Sequence, residues 1–368
     1  MWIPAGRAVH RLLLGVVAIG FVLGGAAGIG QVQAPTTFAS RIAQLSERGG
    51  FFDTDNLISN ERSYLHVVPA LRDSGVSGGA YIGVGPDQNF SYIAQVKPAI
   101  AFIIDLRRDN LLLHLLFKAL FSMSDTRAEY LSLLFGRPVP APQSEWRTAD
   151  LDKIVAYVEG TRLGDAAVTE LQTRVDEKIK TFGVPLSDAD FATINRFHRR
   201  FVTGGLPLKF QTTGRAPQSY YPTYRELLLE TDRQGRRWSF LASEDDFQFV
   251  RSLERRDLVI PVVGDLAGPS ALTEIGRLMA SRGDRLSAFY ASNVEFYLFG
   301  DGKFPRFVEN LEGLPRTNRS LIIRAVFGGF GQSTPGYYSS SLVQSVDQLL
   351  KGYASGSFHS YPELAVAR

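Results

Sequence analysis

The feature that most constrains the fold is a glycine turn between two short apolar runs, the second of which ends in a carboxylate. Residues 79–85 read Gly-Ala-Tyr-Ile-Gly-Val-Gly, and residues 100–105 read Ile-Ala-Phe-Ile-Ile-Asp. Runs this short, bounded by glycine or a polar residue, are typical of buried strands. Between them, residues 90–96 carry apolar side chains at helical spacing, and Pro98 follows. The pattern therefore predicts a strand, a turn, a helix and a second strand.

The spacing within this unit predicts a nucleotide site. Asp105, at the tip of the second strand, is placed to accept ribose hydroxyls, while Gly83 and Gly85 let the backbone approach a ligand. The dinucleotide pattern is incomplete, because Gln88 stands where its third glycine belongs and Pro86 has no backbone N–H for a phosphate. A small nucleoside-type ligand without a pyrophosphate thus fits better than NAD. The alternative is an ordinary strand–helix turn that binds nothing.

The composition excludes several other classes of protein. The 368 residues are 45% hydrophobic and 21% charged, as in an ordinary globular protein. The net charge is only +3, which does not indicate a nucleic-acid partner. There is no cysteine, and the five histidines form no H-x-x-x-H pair, so no metal site is predicted. No P-loop is present, and residues 75–79 (Gly-Val-Ser-Gly-Gly) match G-x-S-x-G but precede the first predicted strand instead of following one, so no nucleophile elbow is predicted.

Residues 1–34 are predicted to be a targeting segment. Arg7 and Arg11 precede an uncharged and mostly apolar run over residues 12–30. This run is long enough to act either as a signal peptide or as an uncleaved membrane anchor. The remainder is then expected outside the inner membrane, in the periplasm or anchored, with membrane contact only through this segment. A mis-assigned start ahead of a cytoplasmic protein is the alternative.

The composition divides the rest of the chain into four parts. Residues 35–78 are predicted to be a helical and loop-rich segment that packs on the core, and residues 79–135 the first half of a Rossmann-like domain. Residues 136–237 read as a charged helical insertion, and residues 238–368 as the second half of the domain with a tail. The predicted fold class is α/β, with a doubly wound and mostly parallel sheet.

Two short stretches have more than one interpretation. Residues 49–61 are dense in Asp, Asn and Ser, which predicts either capped turns or one wall of a ligand pocket. Arg107 and Arg108 follow Asp105 directly and are expected to form salt bridges or to bind an anion. His114 falls in an apolar helix and is expected to be a hydrogen-bonded core residue.

The alternation of strands and helices returns after the insertion. Short apolar runs predict four further strands, at residues 239–242, 258–263, 286–291 and 321–326. Residues 342–350 predict a late helix.

Polar residues follow three of these runs, namely Glu244, Asp265 and Asn293. The carboxyl ends of parallel strands share one edge of a sheet, where open α/β folds bind their ligands. We therefore expect these three residues to border the same site as Gly85 and Asp105.

Five segments of the chain resemble a bacterial protein family of uncharacterised activity, whose fold is similar to class I S-adenosylmethionine-dependent methyltransferases. The segments are residues 53–64, 81–89, 105–110, 263–265 and 289–295. The resemblance extends over residues 40–330. It implies a methyltransferase-like Rossmann fold and S-adenosylmethionine as the cofactor.

The resemblance also implies which residues bind this cofactor. Gly83 and Gly85 would lie against its methionine and sulfonium part, and Asp105 would accept its ribose hydroxyls. Glu244 or its neighbours would flank the adenine, and Asn293 belongs to the same edge. Gly79 and Ala80 stand where such enzymes usually open the glycine motif with an acid.

Two carboxylates are the candidates for catalysis. By the resemblance, Asp265 stands where methyltransferases often place a residue that faces the reacting groups. A carboxylate can act as general base for the acceptor, and Asp265 and Glu295 are the candidates. Capping of a strand end is the alternative role for both.

The predicted function is methyl transfer to an unknown acceptor. An exported binding module that keeps the fold without catalysis is the alternative, because S-adenosylmethionine is made in the cytosol. An oxidoreductase that uses NAD is a third interpretation, which Pro86 and Gln88 disfavour.

Overall fold

A six-stranded sheet lies at the centre of the structure, a computed structural model that describes residues 37–328 and 334–366. The strands are β1 (Ala80–Gly83), β2 (Ile100–Asp105), β3 (Val259–Val263), β4 (Leu286–Ser292), β5 (Arg316–Phe327) and β6 (Ser339–Ser345). Their order across the sheet is β3-β2-β1-β4-β5-β6. All neighbouring strands are parallel except β5 and β6, which are antiparallel.

This strand order is compatible with a Rossmann-like arrangement. The chain steps one way across the sheet from β1 to β2 and β3, and then the other way from β4 to β5. Because crossovers between parallel strands are right-handed, the two runs place their helices on opposite faces. The direction reverses between β1 and β4, which leaves a crevice at the carboxyl ends of these two strands.

Sixteen α-helices and one 3₁₀ helix are assigned within the described residues. Before β2 lie α1 (Phe38–Leu45), the 3₁₀ helix Arg62–Val67, α2 (Val68–Asp73) and α3 (Gln88–Val96). Between β2 and β3 lie α4 (Arg108–Met123), α5 (Arg127–Leu134), α6 (Gln143–Thr148), α7 (Leu151–Gly160), α8 (Asp165–Lys180), α9 (Asp188–Gly204), α10 (Tyr224–Leu229) and α11 (Glu244–Arg255). The later helices are α12 (Ala271–Arg282), α13 (Val294–Gly300), α14 (Phe304–Glu312), α15 (Val346–Ala354) and α16 (Tyr361–Val366).

The helices form two packed groups. Helix α11 contacts both α3 and α4, and α4 also packs on β2 and β3. Helices α1, α12 and α14 form a second group, in which α12 contacts both other helices. Strands β1 and β3 are buried along their whole length, as expected for parallel strands that helices cover on both faces.

Two predictions from the later sequence are wrong. Residues 239–242 form a turn rather than a strand, and the Arg127 guanidinium bonds the carbonyl oxygens of Leu241 and Ala242. Phe240 and Leu241 are apolar because they are buried, not because they belong to a sheet. The predicted helix at 342–350 begins only at Val346, since the residues before it pair with β5.

The predicted targeting segment, residues 1–34, lies outside the described residues. Within residues 37–328 and 334–366, no helix is both long and apolar enough to cross a membrane.

Candidate functional site

A pocket of about 460 Å³ opens over the carboxyl ends of β1, β2, β3 and β4. We call it the strand-end pocket. Its lining combines residues that follow these strands with residues from two other parts of the chain. These parts are the loop over residues 51–61, which we call the loop before β1, and the start of α13. They include Phe51, Phe52, Thr54, Asn56, Ser59, Glu61, Gly85, Gln88, Asp105, Arg107, Asp265, Ser292, Asn293, Tyr297, Asp301 and Lys303.

Four of the seven predicted site residues meet in this pocket. Gly85 follows β1, Asp105 ends β2, Asp265 follows β3, and Asn293 follows β4. They come together because all four strands are parallel neighbours whose carboxyl ends share one edge.

The other three predicted residues do not line the strand-end pocket. Gly83 is enclosed by the side chains of Tyr81 and Asn89, and an added Cβ would lie 1.9 Å from the Asn89 Oδ1. Its lack of a side chain therefore makes room for the protein's own side chains. Glu295 is buried in an ion pair with Arg324, whose Nε donates to Glu295 Oε2 over 2.6 Å.

Glu244 also lies outside the lining of the strand-end pocket. Because residues 239–242 form a turn, Glu244 opens helix α11 instead of ending a strand. Its carboxylate lies 3.7 Å from Arg127 and 3.6 Å from Arg147, and it accepts a hydrogen bond from Gln248. Asp265, which follows the next strand β3, does line the strand-end pocket.

The glycine turn is fixed by buried hydrogen bonds. Asn89 Nδ2 donates to the carbonyl oxygens of Val84 and Pro86 over 2.9 and 2.7 Å, and its Oδ1 accepts from Tyr81. Burial lowers the pKa of His114 to about 4, so its ring is neutral and Nε2–H donates to the Gly85 carbonyl. Gly85 itself has φ +83°, which only glycine adopts readily.

Asp105 is held by Arg107. Asp105 Oδ1 accepts from the backbone N–H and Nε of Arg107 over 2.8 and 3.1 Å, and Oδ2 accepts from Nη2 over 2.9 Å. The same guanidinium donates to the carbonyl oxygen of Thr54 over 2.9 Å. This pair therefore ties the end of β2 to the loop before β1. Arg108 instead pairs with Asp190, at 2.9 Å.

Within the polar run at residues 49–61, the loop over residues 51–61 contains capped turns and also lines the strand-end pocket. The Thr54 and Ser59 hydroxyls accept from the backbone N–H groups of Asn56 and Glu61, which makes two capped turns. The same loop is one wall of the strand-end pocket. Phe51 and Phe52 stand exposed on this wall, where Phe52 packs edge-on against the ring of Tyr297 at 4.8 Å.

Glu61 is a buried carboxylate beside the strand-end pocket. Tyr290 donates to its Oε2, and Ser292 donates to its Oε1. Burial raises the pKa of Glu61 to about 7, although both hydrogen bonds oppose that shift. Ser292 ends β4 with φ +53°, a strained conformation for a residue with a side chain, and strain of this kind clusters at functional sites.

Gln88 extends this cluster on the side of the glycine turn. Its Nε2 donates to the Tyr290 hydroxyl over 3.1 Å. Its Oε1 is buried and has no hydrogen-bond partner among the described residues. An unpartnered buried acceptor is rare in proteins, and one at a pocket suits a donor on a ligand.

Asp265 carries a different set of contacts. Its Oδ1 accepts from the backbone N–H of Ala267 over 2.9 Å, and its Oδ2 lies 3.2 Å from Lys303 Nζ. Glu47 approaches the same loop and accepts from the backbone N–H groups of Asp265 and Ser270. Asp265 thus lies at the pocket with a cation beside it.

In the described part of the chain, no group of three or more His, Asp or Glu side chains is arranged to hold a metal ion. The polar groups of the strand-end pocket are carboxylates, hydroxyls and amides together with the two cations Arg107 and Lys303.

The comparisons with known proteins give one family. The model of a family described as a domain of unknown function, DUF7790, matches residues 56–137 and 209–355, which is more than half of the chain. The chain belongs to the DUF7790 family. No curated protein matches the chain.

The DUF7790 match includes most of the strand-end pocket. Its first segment contains Glu61, Gly85 and Asp105, and its second contains Asp265 and Asn293. Residues 138–208 are outside both segments, and they form helices α6 to α9.

A second pocket, of about 500 Å³, adjoins the first and uses residues outside the DUF7790 match. We call it the arginine pocket, because four arginines line it together with two acids and part of the loop before β1. It is lined by Phe51, Phe52, Thr54, Asp55, Arg107, Arg108, Asp109, Arg196, Phe197, Arg200, Gln211 and neighbouring residues.

The sequence did not single out three residues of the strand-end pocket. Glu61 belongs to the polar run at residues 49–61, which predicted a pocket wall without naming a residue. Gln88 appeared only as a missing glycine. Ser292 is a strand-end residue like the four predicted ones, and its position just before Asn293 was the available signal.

Proposed function

We propose that the chain binds S-adenosylmethionine, or a closely similar nucleoside, in the strand-end pocket and transfers a methyl group to an acceptor there. The observation that carries this proposal is the meeting of Gly85, Asp105, Asp265 and Asn293 in one pocket. Ligands of open α/β folds bind at this edge, where the strand order reverses.

The residues present fit such a ligand in two respects. The pocket volume of about 460 Å³ falls within the range of small-molecule sites. Gly85 presents bare backbone on one side, and the unpartnered Gln88 Oε1 can accept from an N–H or O–H of the ligand. S-adenosylmethionine supplies the methyl group, and positioning dominates transfer of this kind.

Asp105 would have few free lone pairs with which to accept hydrogen bonds from the ribose. An ionised carboxylate offers about four lone-pair sites. Arg107 uses three of them through its backbone N–H, Nε and Nη2. We therefore expect Asp105 to accept one ribose hydroxyl rather than two, with Arg107 fixing the carboxylate for it.

The end of β4 would hold a polar group of the nucleoside ligand. Ser292 donates to Glu61 and lies 3.3 Å from the Asn293 Oδ1, so these polar groups are already oriented before a ligand enters. The exposed rings of Phe51 and Phe52 would cover an apolar part of the ligand.

Titration calorimetry on the full-length chain tests this proposal. S-adenosylmethionine and S-adenosylhomocysteine should release or absorb heat, and NAD should not, because Pro86 and Gln88 do not suit a pyrophosphate. Asp105→Asn should weaken nucleoside binding by about tenfold or more, since hydrogen bonds to charged groups are worth about 1.5–3 kcal/mol.

Asp109→Asn is the matched control, because this acid lies four residues further on and lines the arginine pocket only. Its affinity for the nucleoside should equal that of the natural chain. A folded protein that gives no heat with either nucleoside would refute the proposal.

A binding module without catalysis is the second candidate. It is favoured by the pairing of both predicted bases, Asp265 with Lys303 and Glu295 with Arg324, because a paired carboxylate is a weaker base. Methyl-labelled S-adenosylmethionine in a cell extract separates the two candidates. Binding without label transfer to any component supports the module, and label transfer supports the enzyme.

A further inference from the structure

The Glu61 carboxylate is a buried acid that lies at the strand-end pocket. Its residue is only 1% exposed, and among residues 37–328 and 334–366 no cationic side chain forms an ion pair with it. Within the described part of the chain, its hydrogen-bond donors are the hydroxyls of Tyr290 and Ser292. A buried charge without a counter-charge is costly, so such groups are rare outside functional sites.

Ser292 connects this carboxylate to the strand-end pocket. It lies at the pocket and is only partly buried. Because its hydroxyl proton is donated to Glu61, its oxygen is left to accept from a ligand. Gln88 likewise offers an acceptor, because its Nε2 donates to the Tyr290 hydroxyl and its Oε1 has no partner among the described residues. The cluster thus offers acceptors backed by one negative charge.

The lining of the strand-end pocket as a whole also favours a positively charged ligand. It carries four carboxylates, from Glu61, Asp105, Asp265 and Asp301, against two cations, Arg107 and Lys303. Both cations are already paired with pocket carboxylates. The excess negative charge therefore rests on Glu61 and on Asp301, which lies exposed at the mouth.

We propose that Glu61, acting through Ser292 and assisted by Gln88, recognises a protonated amine on the ligand. Ser292 and Gln88 would accept its N–H groups, and Glu61 would supply the counter-charge from behind as a positioning residue. The proposal concerns the pocket of the proposed function and rests on it only for the location. It names the chemical group that the ligand must carry, whether that ligand is a nucleoside or another amine.

Binding of an amine should expel a proton from the protein. Burial raises the pKa of Glu61 to about 7, so near neutral pH a fraction of the molecules carries a proton there. A cation beside the carboxylate favours its ionised form. The phenols that sense this charge, Tyr81, Tyr92 and Tyr290 with Tyr361, all have a pKa raised above the usual value and stay neutral.

Calorimetry of the full-length chain at pH 7, in two buffers of different ionisation enthalpy, measures this proton. S-adenosylhomocysteine carries a protonated amine, and 5′-methylthioadenosine does not. We expect a fraction of a proton to be released with the first and none with the second. In Glu61→Gln the release should disappear, S-adenosylhomocysteine should bind at least tenfold more weakly, and methylthioadenosine should be unaffected.

Two further variants accompany this test, the first as a second test of the cluster and the second as a control. Ser292→Gly removes the hydroxyl at a position whose positive φ suits glycine, and it should also abolish the preference for the amine. Asp109→Asn removes an acid that lines the arginine pocket only and should leave both the preference and the proton release intact. Unchanged preference and release in Glu61→Gln would overturn the proposal.

A nucleoside-free pair of probes separates this inference from the proposed function. If neither nucleoside binds, the proposed function fails, and benzylamine is compared with benzyl alcohol by thermal unfolding. Benzylamine alone should then raise the Tm of the natural chain and leave that of Glu61→Gln unchanged. Equal shifts with both probes, or no shift with benzylamine, would refute amine recognition.

Discussion

The strand-end pocket and the arginine pocket have similar volumes and opposite charge. The first, of about 460 Å³, has four carboxylates against two cations, whereas the second, of about 500 Å³, has four arginines against two acids. They share Phe51, Phe52, Thr54 and Arg107, so the loop before β1 is the partition between them. The net charge of +3 conceals this separation entirely.

The two pockets also differ in where their residues lie along the sequence. The strand-end pocket is built largely from the segments that match the DUF7790 family, whereas Arg196, Phe197 and Arg200 of the arginine pocket lie outside them. The strand-end pocket forms because the parallel strands of the sheet end at one edge. The second arises only because helix α9 packs beside α4, and it therefore depends on the helical insertion.

Arg107 is the residue on which both pockets depend. Arg107→Ala would leave the largely buried Asp105 carboxylate, whose side chain is 12% exposed, without its cation and would release the carbonyl oxygen of Thr54. Breaking a buried pair in this way costs about 3 kcal/mol or more. Urea unfolding should show this loss, and calorimetry should show loss of binding in the strand-end pocket.

The neighbouring Arg108→Ala is the control. Its side chain is 47% exposed and pairs with Asp190, so it should cost about 1 kcal/mol or less. Equal losses for the two variants would mean that the partition loop is held by something other than Arg107.

Glu61→Gln is expected to stabilise the ligand-free protein at high pH. The pKa of Glu61 is raised from 4.5 to about 7 on folding, so the folded chain binds the extra proton between these values. Stability should therefore fall as the pH rises from 4.5 to 7, by a total on the order of 3 kcal/mol, and stay low above pH 7. The variant should lack this fall and unfold at higher urea concentration at pH 8.

The quantity to measure is the difference in the free energy of unfolding between Glu61→Gln and the natural chain at each pH. Asp87 and Glu254 also have a raised pKa, about 6 and about 8, and contribute equally to both profiles. Asp301→Asn should keep the profile of the natural chain, since this acid is exposed. A Glu61→Gln protein less stable than the natural chain at pH 8 would contradict a functional charge.

Burial determined how much of the fold the sequence could predict. The run at residues 100–105 predicted β2 with its bounds, because a strand covered on both faces is apolar throughout. Phe240 and Leu241 gave the same pattern from a buried turn, where Arg127 satisfies the backbone in place of a neighbouring strand. Strand β6 carries four serines and pairs only with β5, so local pattern could not predict it.

The candidate site was predictable only where the sheet alone fixes it. Gly85, Asp105, Asp265 and Asn293 meet because parallel strands end at one edge. Glu61 reaches the same place through tertiary packing of a loop against Tyr290 and Ser292, more than two hundred residues away. The spacing of residues along the chain therefore could not predict this contact.

Arg200→Ala should have the smallest effect and test whether the pockets act separately. Arg200 Nη2 lies 3.2 Å from Asp55 Oδ2, and its loss should cost about 1 kcal/mol or less because the arginine is 37% exposed. Burial raises the pKa of Asp55 and Arg200 opposes that rise, so the variant should lose more stability at pH 8 than at pH 5. Arg199→Ala, which lies outside both linings, should show no such pH dependence. Nucleoside affinity should change less than threefold in both variants, because Arg200 contacts only the arginine pocket. A tenfold loss in Arg200→Ala alone would show that one ligand spans the partition and that the two pockets are halves of a single site.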